Sequence, residues 1–109
     1  MYIFRLFKAN DPLTAVDARL LAEGVLSVGR DPASDWVMID PNCEISREHL
    51  TVRVVGDDLV LHCKGANGVF DDASDERLPN GKDLPLALPA ALRLGPYRMV
   101  AERAPQAAL

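Results

Sequence analysis

Short runs of alternating hydrophobic and polar residues recur along the chain, about ten positions apart, with Gly, Pro, Asn and Asp between them. Alternation with a period of two is typical of half-buried β-strands. The pattern predicts strands over residues 2–8, 24–29, 36–39, 49–55, 59–63, 91–94 and 97–102. Strands of this length and spacing predict an all-β protein of the sandwich or barrel type.

Two of these strands are expected to form a hairpin. Apolar side chains in residues 49–55 alternate with Thr51 and Arg53, and residues 59–63 resume the alternation after the turn Gly56-Asp57-Asp58. A turn of this composition between two alternating runs is a strong hairpin signal. A second hairpin is expected around Gly95-Pro96.

Residues 13–22 fit two interpretations. The apolar positions have helical spacing, and Asp11-Pro12 suits the start of a helix. Equally, residues 18–22 suit a strand that turns at Glu23-Gly24 into the next strand. The strand is favoured, because a lone helix would need a face of the sandwich on which to pack.

Composition argues against nucleic-acid-binding, membrane-spanning and disulfide-rich secreted proteins. The chain has 109 residues, 49% of them hydrophobic, and a net charge of −4. An acidic chain argues against sequence-independent nucleic-acid binding, which needs clustered Lys and Arg. No apolar run approaches the ~20 residues of a membrane span, and the start lacks the features of a signal peptide. Cys43 and Cys63 are too few for a disulfide-stapled secreted domain, so a cytoplasmic protein with reduced thiols is expected.

Most catalytic and metal motifs are missing. The Cys and His residues lack metal-ligand spacing, and there is no glycine-rich nucleotide loop. Ser46 and His49 are the only candidate nucleophile and base, and the structural interpretation is favoured, with His49 fixing the loop that presents Ser46. We therefore expect no enzyme activity, no metal and no cofactor.

Three loops carry polar residues that the apolar pattern does not explain. Arg30 follows the second strand, Ser46 and Arg47 precede the 49–55 strand, and Asn67 follows its hairpin partner. Loops before one strand and after its antiparallel neighbour lie at the same end of a sandwich, so these side chains are expected to converge. Two guanidinium groups with a hydroxyl and an amide suit a dianionic phosphate.

The ordered set Gly29-Arg30, Ser46-x-x-His49 and Asn67-Gly68 resembles the forkhead-associated (FHA) domain. The segment GRDPASDWVMIDPNCEISREHLTV is similar to the GR…D…SRxH signature of that family almost position by position. The resemblance covers residues 25–70 well, and the first and last strands more weakly. It implies a sandwich of two twisted, mostly antiparallel sheets with about eleven strands. It also implies an FHA domain over residues 1–103, followed by a linker or tail from 104 to 109.

The resemblance further implies binding of phosphothreonine in partner proteins, with a role for each motif residue. Arg30 and Ser46 would contact the phosphate, Arg47 would add a second phosphate contact, and Asn67 would bind the peptide main chain. Glu44 stands where the family contacts the third residue after the phosphothreonine, so it would set specificity. The remaining motif residues, Gly29, His49 and Gly68, would shape the loops.

Two departures from the family pattern leave a second function open. Ala66 stands where the family often has a hydroxyl, and residues 71–79 form an apparent insertion that carries Asp71, Asp72, Asp75 and Glu76. The alternative is a phosphate-independent scaffold domain that uses the same end of the sandwich. The chain also resembles FHA proteins of bacterial type VI secretion, because it has the sequence Gly-Val-Phe at residues 68–70 and a domain that starts at residue 1. That likeness implies an N-terminal domain of a larger protein.

Overall fold

The computed structural model describes residues 1–104 as an all-β sandwich with no helix in that range. Its strands are β1 (Tyr2–Lys8), β2 (Asp11–Leu21), β3 (Val25–Gly29), β4 (Trp36–Val37), β5 (Leu50–Val55), β6 (Asp58–Cys63), β7 (Phe70–Asp71), β8 (Asp83–Pro85), β9 (Ala90–Leu94) and β10 (Tyr97–Arg103). The described residues thus hold ten strands, where the resemblance implies about eleven. The expected linker lies outside the described residues except for its first position, Ala104.

The strands form two five-stranded sheets. The first sheet has the order β2-β1-β10-β9-β7 and the second has the order β4-β3-β5-β6-β8. Neighbouring strands run antiparallel, except that β3 and β4 are parallel. The predicted sandwich of two mostly antiparallel sheets is confirmed.

The core lies between the inward faces of the two sheets. Period-two alternation puts Tyr2, Phe4 and Leu6 of β1 inside, and it does the same for Leu59 and Leu61 of β6. The largest fully buried side chains are Trp36, Phe4, Ile45, Leu50, Leu59, Leu61, Leu94, Met99, His49, Val28, Val52 and Val69. Among these only His49 is polar, so its hydrogen-bonding groups need partners inside the protein.

The ambiguous segment is a strand and not a helix. Strand β2 covers residues 11–21, so it begins earlier than the predicted residue 18. It pairs with β1, with Phe4 opposite Arg19 and Ile3 opposite Leu20, and the register shifts on either side of Phe7. The helical spacing of its apolar residues does not reflect a buried face, because Leu13 and Leu20 are exposed. The β5–β6 hairpin is also present, with Val52 opposite Leu61.

Strand β2 forms one edge of the first sheet, and charged side chains cover its middle. The Ala18 N–H donates to Asp17 Oδ1 (2.8 Å), and the Ala18 carbonyl accepts from the Arg19 guanidinium (2.9 Å). Asp17 also accepts from Trp36 Nε1 in the second sheet (3.0 Å), and Arg19 lies over the Trp36 ring. These contacts tie the edges of the two sheets together.

The two ends of the sandwich differ. One end carries the β5–β6 turn, where Tyr2 and Arg103 both donate to the Asp57 carbonyl. The other end carries the β3–β4, β4–β5 and β6–β7 loops, which hold the residues that the sequence singles out. The described part of the chain contains no helix with the length and apolar character that a membrane span requires.

Candidate functional site

The β3–β4 and β4–β5 loops are joined through their backbones. The Arg30 N–H donates to the Ser46 carbonyl and the Asp31 N–H donates to the Arg47 carbonyl, both at 3.1 Å. This approach requires a glycine at position 29, because a Cβ there would lie 1.9 Å from the Arg47 carbonyl oxygen. The close contact with the neighbouring loop therefore allows only glycine at position 29.

His49 holds the β4–β5 and β6–β7 loops together. Its Nδ1 accepts from the Ser46 backbone N–H (3.0 Å), and its Nε2 lies 2.9 Å from the Gly68 carbonyl oxygen. Because Nδ1 accepts, Nε2 carries the proton and donates to Gly68. A Cβ at Gly65 would lie 2.1 Å from the ring, so this glycine also makes room for the histidine.

The Ser46 hydroxyl is not paired with His49. Ser46 Oγ accepts from the Ala66 backbone N–H at 3.0 Å, while the imidazole is occupied by backbone groups. A hydroxyl that accepts one hydrogen bond still has its own proton to donate. The geometry therefore presents Ser46 as a donor to an anion and does not arrange it as a nucleophile beside a base.

The two motif arginines differ in how they are held. Arg30 is half-buried, and its Nε donates to the Ile45 carbonyl, which fixes the guanidinium and leaves its terminal nitrogens to bind other groups. The Arg47 side chain is 71% exposed and lies 3.5 Å from the Asp31 carboxylate. Arg30 is thus an oriented cation, and Arg47 is a solvated one at the rim.

Asn67 links the third loop to Glu44. Its Nδ2 donates to the Glu44 carbonyl at 3.0 Å, which leaves the side-chain oxygen to accept from a ligand N–H. Beside it is a depression of about 270 Å³ lined by Glu44, Asn67, Phe70, Arg93 and Gly95. The next residue, Gly68, has a φ of +84°, which suits glycine.

The burial of Ile45 argues against selection of aliphatic peptide side chains beside Glu44. An aliphatic pocket around Ile45 is an alternative to selection by the Glu44 charge. Ile45 is fully buried, however, and a Cβ on Gly95 would lie 2.7 Å from its side chain. A side chain enclosed in this way does not line a surface pocket, whereas Glu44 is exposed.

The acidic insertion is less negative than its sequence indicates. Asp72 accepts from Arg98 at 2.7 Å, and Asp75 forms an ion pair with Arg93. These ion pairs offset part of the negative charge of the insertion, which still lies at the surface. Sequence reasoning missed the two arginines because both lie outside the motifs, on strands that meet the insertion only in the fold.

The burial of His49 predicts a loss of stability in mild acid. Desolvation holds the pKa of His49 below its ordinary value of 6.5, against the opposing effects of the Gly68 carbonyl and Asp40. The contribution of neutral His49 to the free energy of unfolding is fully present above about pH 6.5. It is lost as the pH falls toward the pKa of His49 in the folded protein, because in this range the unfolded chain takes up the proton and the folded chain does not. Denaturant unfolding from pH 7.5 to 5.5 should show a decline of at most about 1.4 kcal/mol per pH unit. His62→Gln should keep this decline and His49→Gln should remove it, whereas a flat wild-type profile would contradict the prediction.

Comparisons with known proteins agree with this architecture. The family model described as FHA domain matches residues 26–95. The fold is similar to an FHA domain studied for phosphothreonine-dependent interactions, with 21% identity, a TM-score of 0.71, and coverage of 95% of this chain and 97% of that one. It is also similar to the FHA domain of the CT664 protein from Chlamydia trachomatis, with 18% identity, a TM-score of 0.77, and coverage of 95% and 98%.

A third similar structure is the N-terminal FHA domain of S. cerevisiae Rad53p in complex with a phosphothreonine peptide. It has 16% identity and a TM-score of 0.72, with 94% of each chain covered. Curated protein sequences give no match. Since the family model spans more than half of the chain, the chain belongs to the FHA domain family.

Proposed function

We propose that this domain docks partner proteins by binding a phosphothreonine segment at the loop end of the sandwich. One observation carries the proposal: Arg30 and Ser46 lie on two loops joined by backbone hydrogen bonds, with one guanidinium oriented and one hydroxyl proton free to donate. A phosphate dianion needs this combination of a forked cation and neutral donors. The similar FHA domain with a bound phosphothreonine peptide supports the proposal.

Each remaining site residue has a role in this proposal. Arg47 adds a solvated positive charge at the rim, and Asn67 offers an amide oxygen to the peptide backbone. His49, Gly29 and Gly68 hold the loops in place. The domain works by binding alone, because the imidazole that a hydrolase would use is fully buried and bonded to backbone groups.

Ala66 favours a second candidate function. Its side chain offers no donor to a phosphate, and its N–H already donates to Ser46 Oγ. A site that lacks one donor binds phosphate more weakly, by about 1.5–3 kcal/mol if that donor would address a charge. The alternative is therefore a phosphate-independent scaffold domain that uses the same loops.

Peptide titration separates the two functions. A degenerate phosphothreonine library and its unphosphorylated twin are titrated against the domain, and both bound fractions are measured. The proposed function requires that the phosphorylated library binds and that its twin does not. Equal binding of both would overturn it in favour of the scaffold function.

We expect Glu44 to disfavour acidic residues at the third position after the phosphothreonine. Glu44 is exposed and lines the same depression as Asn67, so its carboxylate should repel Asp and attract Lys or Arg. The effect is screened by solvent, so it should amount to about 0.2–1 kcal/mol, or several-fold at most. An oriented phosphopeptide array checks this with Glu44→Lys, which should reverse the selection. Enrichment of Asp at that position in the wild type, or an unchanged profile in the variant, would contradict it.

The wider setting is also a proposal. We infer a role in a Ser/Thr kinase pathway of a bacterial cytoplasm, and the resemblance to type VI secretion proteins suggests the assembly and a larger parent protein. Both cysteines are free thiols, with Cys43 exposed and Cys63 buried, which suits a reducing compartment. A pull-down from cells with and without phosphatase treatment would test the setting.

A further inference from the structure

Arg77, in the insertion, lies against the third loop of the site. The insertion turns back on itself, so that Arg77 forms a β-bridge with Phe70, and the Leu78 N–H donates to the Val69 carbonyl at 2.8 Å. The Arg77 guanidinium donates to the Ala66 carbonyl at 3.1 Å. Its side chain crosses Gly68, where a Cβ would lie 2.6 Å from Nε. The fold thus places a cation of the insertion against Ala66 and Gly68, the two chain neighbours of Asn67.

This cation has no acidic partner within the described part of the chain. Most arginines among residues 1–104 lie within 4.0 Å of a carboxylate oxygen, and those that do not are Arg30, Arg77 and Arg103. Arg103 lies at the opposite end of the sandwich, where it donates to the Asp57 carbonyl. Arg30 and Arg77 are therefore the two arginines without a carboxylate partner at the loop end.

Arg77 lacks a carboxylate partner although four acidic residues precede it closely in sequence. Asp71, Asp72, Asp75 and Glu76 all lie within six positions of it, yet Asp72 and Asp75 pair with other arginines. Arg77 is exposed, and its position is held by a neutral carbonyl. An exposed guanidinium held in this way keeps donors for an incoming anion.

The position of Arg77 indicates which part of a ligand it would meet. Ala66 separates it from Ser46, because the Ala66 N–H faces the Ser46 hydroxyl and the Ala66 carbonyl faces Arg77. In the proposed function the phosphate binds on the Ser46 side, and the peptide main chain passes Asn67. Arg77 would thus meet a side chain next to the phosphothreonine.

We propose that Arg77 is a specificity residue of the site and binds a carboxylate side chain that flanks the phosphothreonine. The inference rests on the proposed function. It predicts that the peptide position next to Arg77 favours an acidic residue. The position near Glu44, by contrast, disfavours acidic residues. The insertion then adds a contact to the site, although its composition alone indicates repulsion of acidic peptides.

The test uses an oriented phosphothreonine library in which each flanking position is fixed in turn as Asp or its neutral isostere Asn. The wild type should favour Asp about fivefold at one position, as expected for an exposed, screened ion pair. Arg77→Gln keeps a donor for the Ala66 carbonyl but removes the charge, so it should bring the Asp-to-Asn ratio close to one. Arg103→Gln is the matched control, since it removes an equally unpaired arginine at the far end, and it should leave the ratio unchanged.

Three outcomes would overturn the inference. A ratio that is the same in wild type and Arg77→Gln at every position would remove the specificity role. A uniform loss of affinity in Arg77→Gln without a change of ratio would assign Arg77 to loop structure alone. Equal binding of the phosphorylated library and its threonine twin would overturn this inference and the proposed function together, whereas phosphate-dependent binding with an unchanged ratio overturns this inference only.

Discussion

Arg30→Ala is expected to lower the affinity for phosphothreonine peptides by roughly a hundredfold or more. The Arg30 guanidinium is oriented by the Ile45 carbonyl before any ligand arrives, so little ordering is needed on binding. Its loss removes a charge-assisted contact and leaves the phosphate facing a site with one cation fewer. Isothermal calorimetry with one peptide selected from the library measures the effect.

Two further variants test whether the loss of affinity is specific to Arg30 and is not the effect of removing any positive charge. Arg47→Ala should cost less, because the Arg47 side chain is 71% exposed and already lies beside Asp31. Arg53→Ala removes an equal charge from the second sheet, away from the loops, and should leave the affinity unchanged. If Arg30→Ala binds the peptide as tightly as the wild type while remaining folded, the assignment of the phosphate to Arg30 is wrong.

Gly29→Ala should destabilise the fold by about 3 kcal/mol or more, which is the upper range for overpacking a close contact. The new methyl group would lie 1.9 Å from the Arg47 carbonyl oxygen, a backbone atom that also accepts from the Asp31 N–H. Relief of the clash requires the β4–β5 loop to move away from Arg30. The variant should therefore lose peptide affinity as well as stability.

Gly24→Ala is the matched control for this prediction. Gly24 has a φ of +78°, but nothing lies within 4 Å of a Cβ there. The substitution should cost about 1–2 kcal/mol from backbone strain alone and should leave peptide affinity intact. Denaturant unfolding of the two variants, followed by peptide titration, compares them. Equal stability losses with intact binding in both would show that Gly29 does not set the distance between the loops.

How far the fold follows from the sequence depends on the length and burial of each element. The β5–β6 hairpin was predictable because its inward residues alternate without interruption. Strands β7 and β8 have two and three residues, too few for a period to appear, and both were missed. Strand β2 was ambiguous because most of its side chains face solvent, so its apolar spacing carries no information about a core.

The candidate site also has features that the sequence predicts and features that depend on tertiary contacts. The convergence of Ser46 and Asn67 was predictable, since loops around a hairpin meet at one end of the sheet. Arg77 was not, because its position depends on the insertion folding back against Phe70, which is a tertiary contact. The pairing of Asp75 with Arg93 joins two segments distant in sequence, and no local pattern indicates it.

The charged cover on strand β2 has a consequence for the protein in concentrated solution. β2 has eleven residues, whereas the edge strands β4, β7 and β8 have two, two and three, so β2 is the one long edge among residues 1–104. Long edges with exposed apolar residues such as Leu13 invite strands of other molecules and so promote aggregation. At the centre of β2 the backbone groups of Ala18 are already occupied by the side chains of its two neighbours, so an incoming strand would have to displace an ion pair before its hydrogen bonds could form. The ion pair should thus disfavour strand pairing at this point of the edge, while the opposite side of the sandwich carries only strands too short to act as templates.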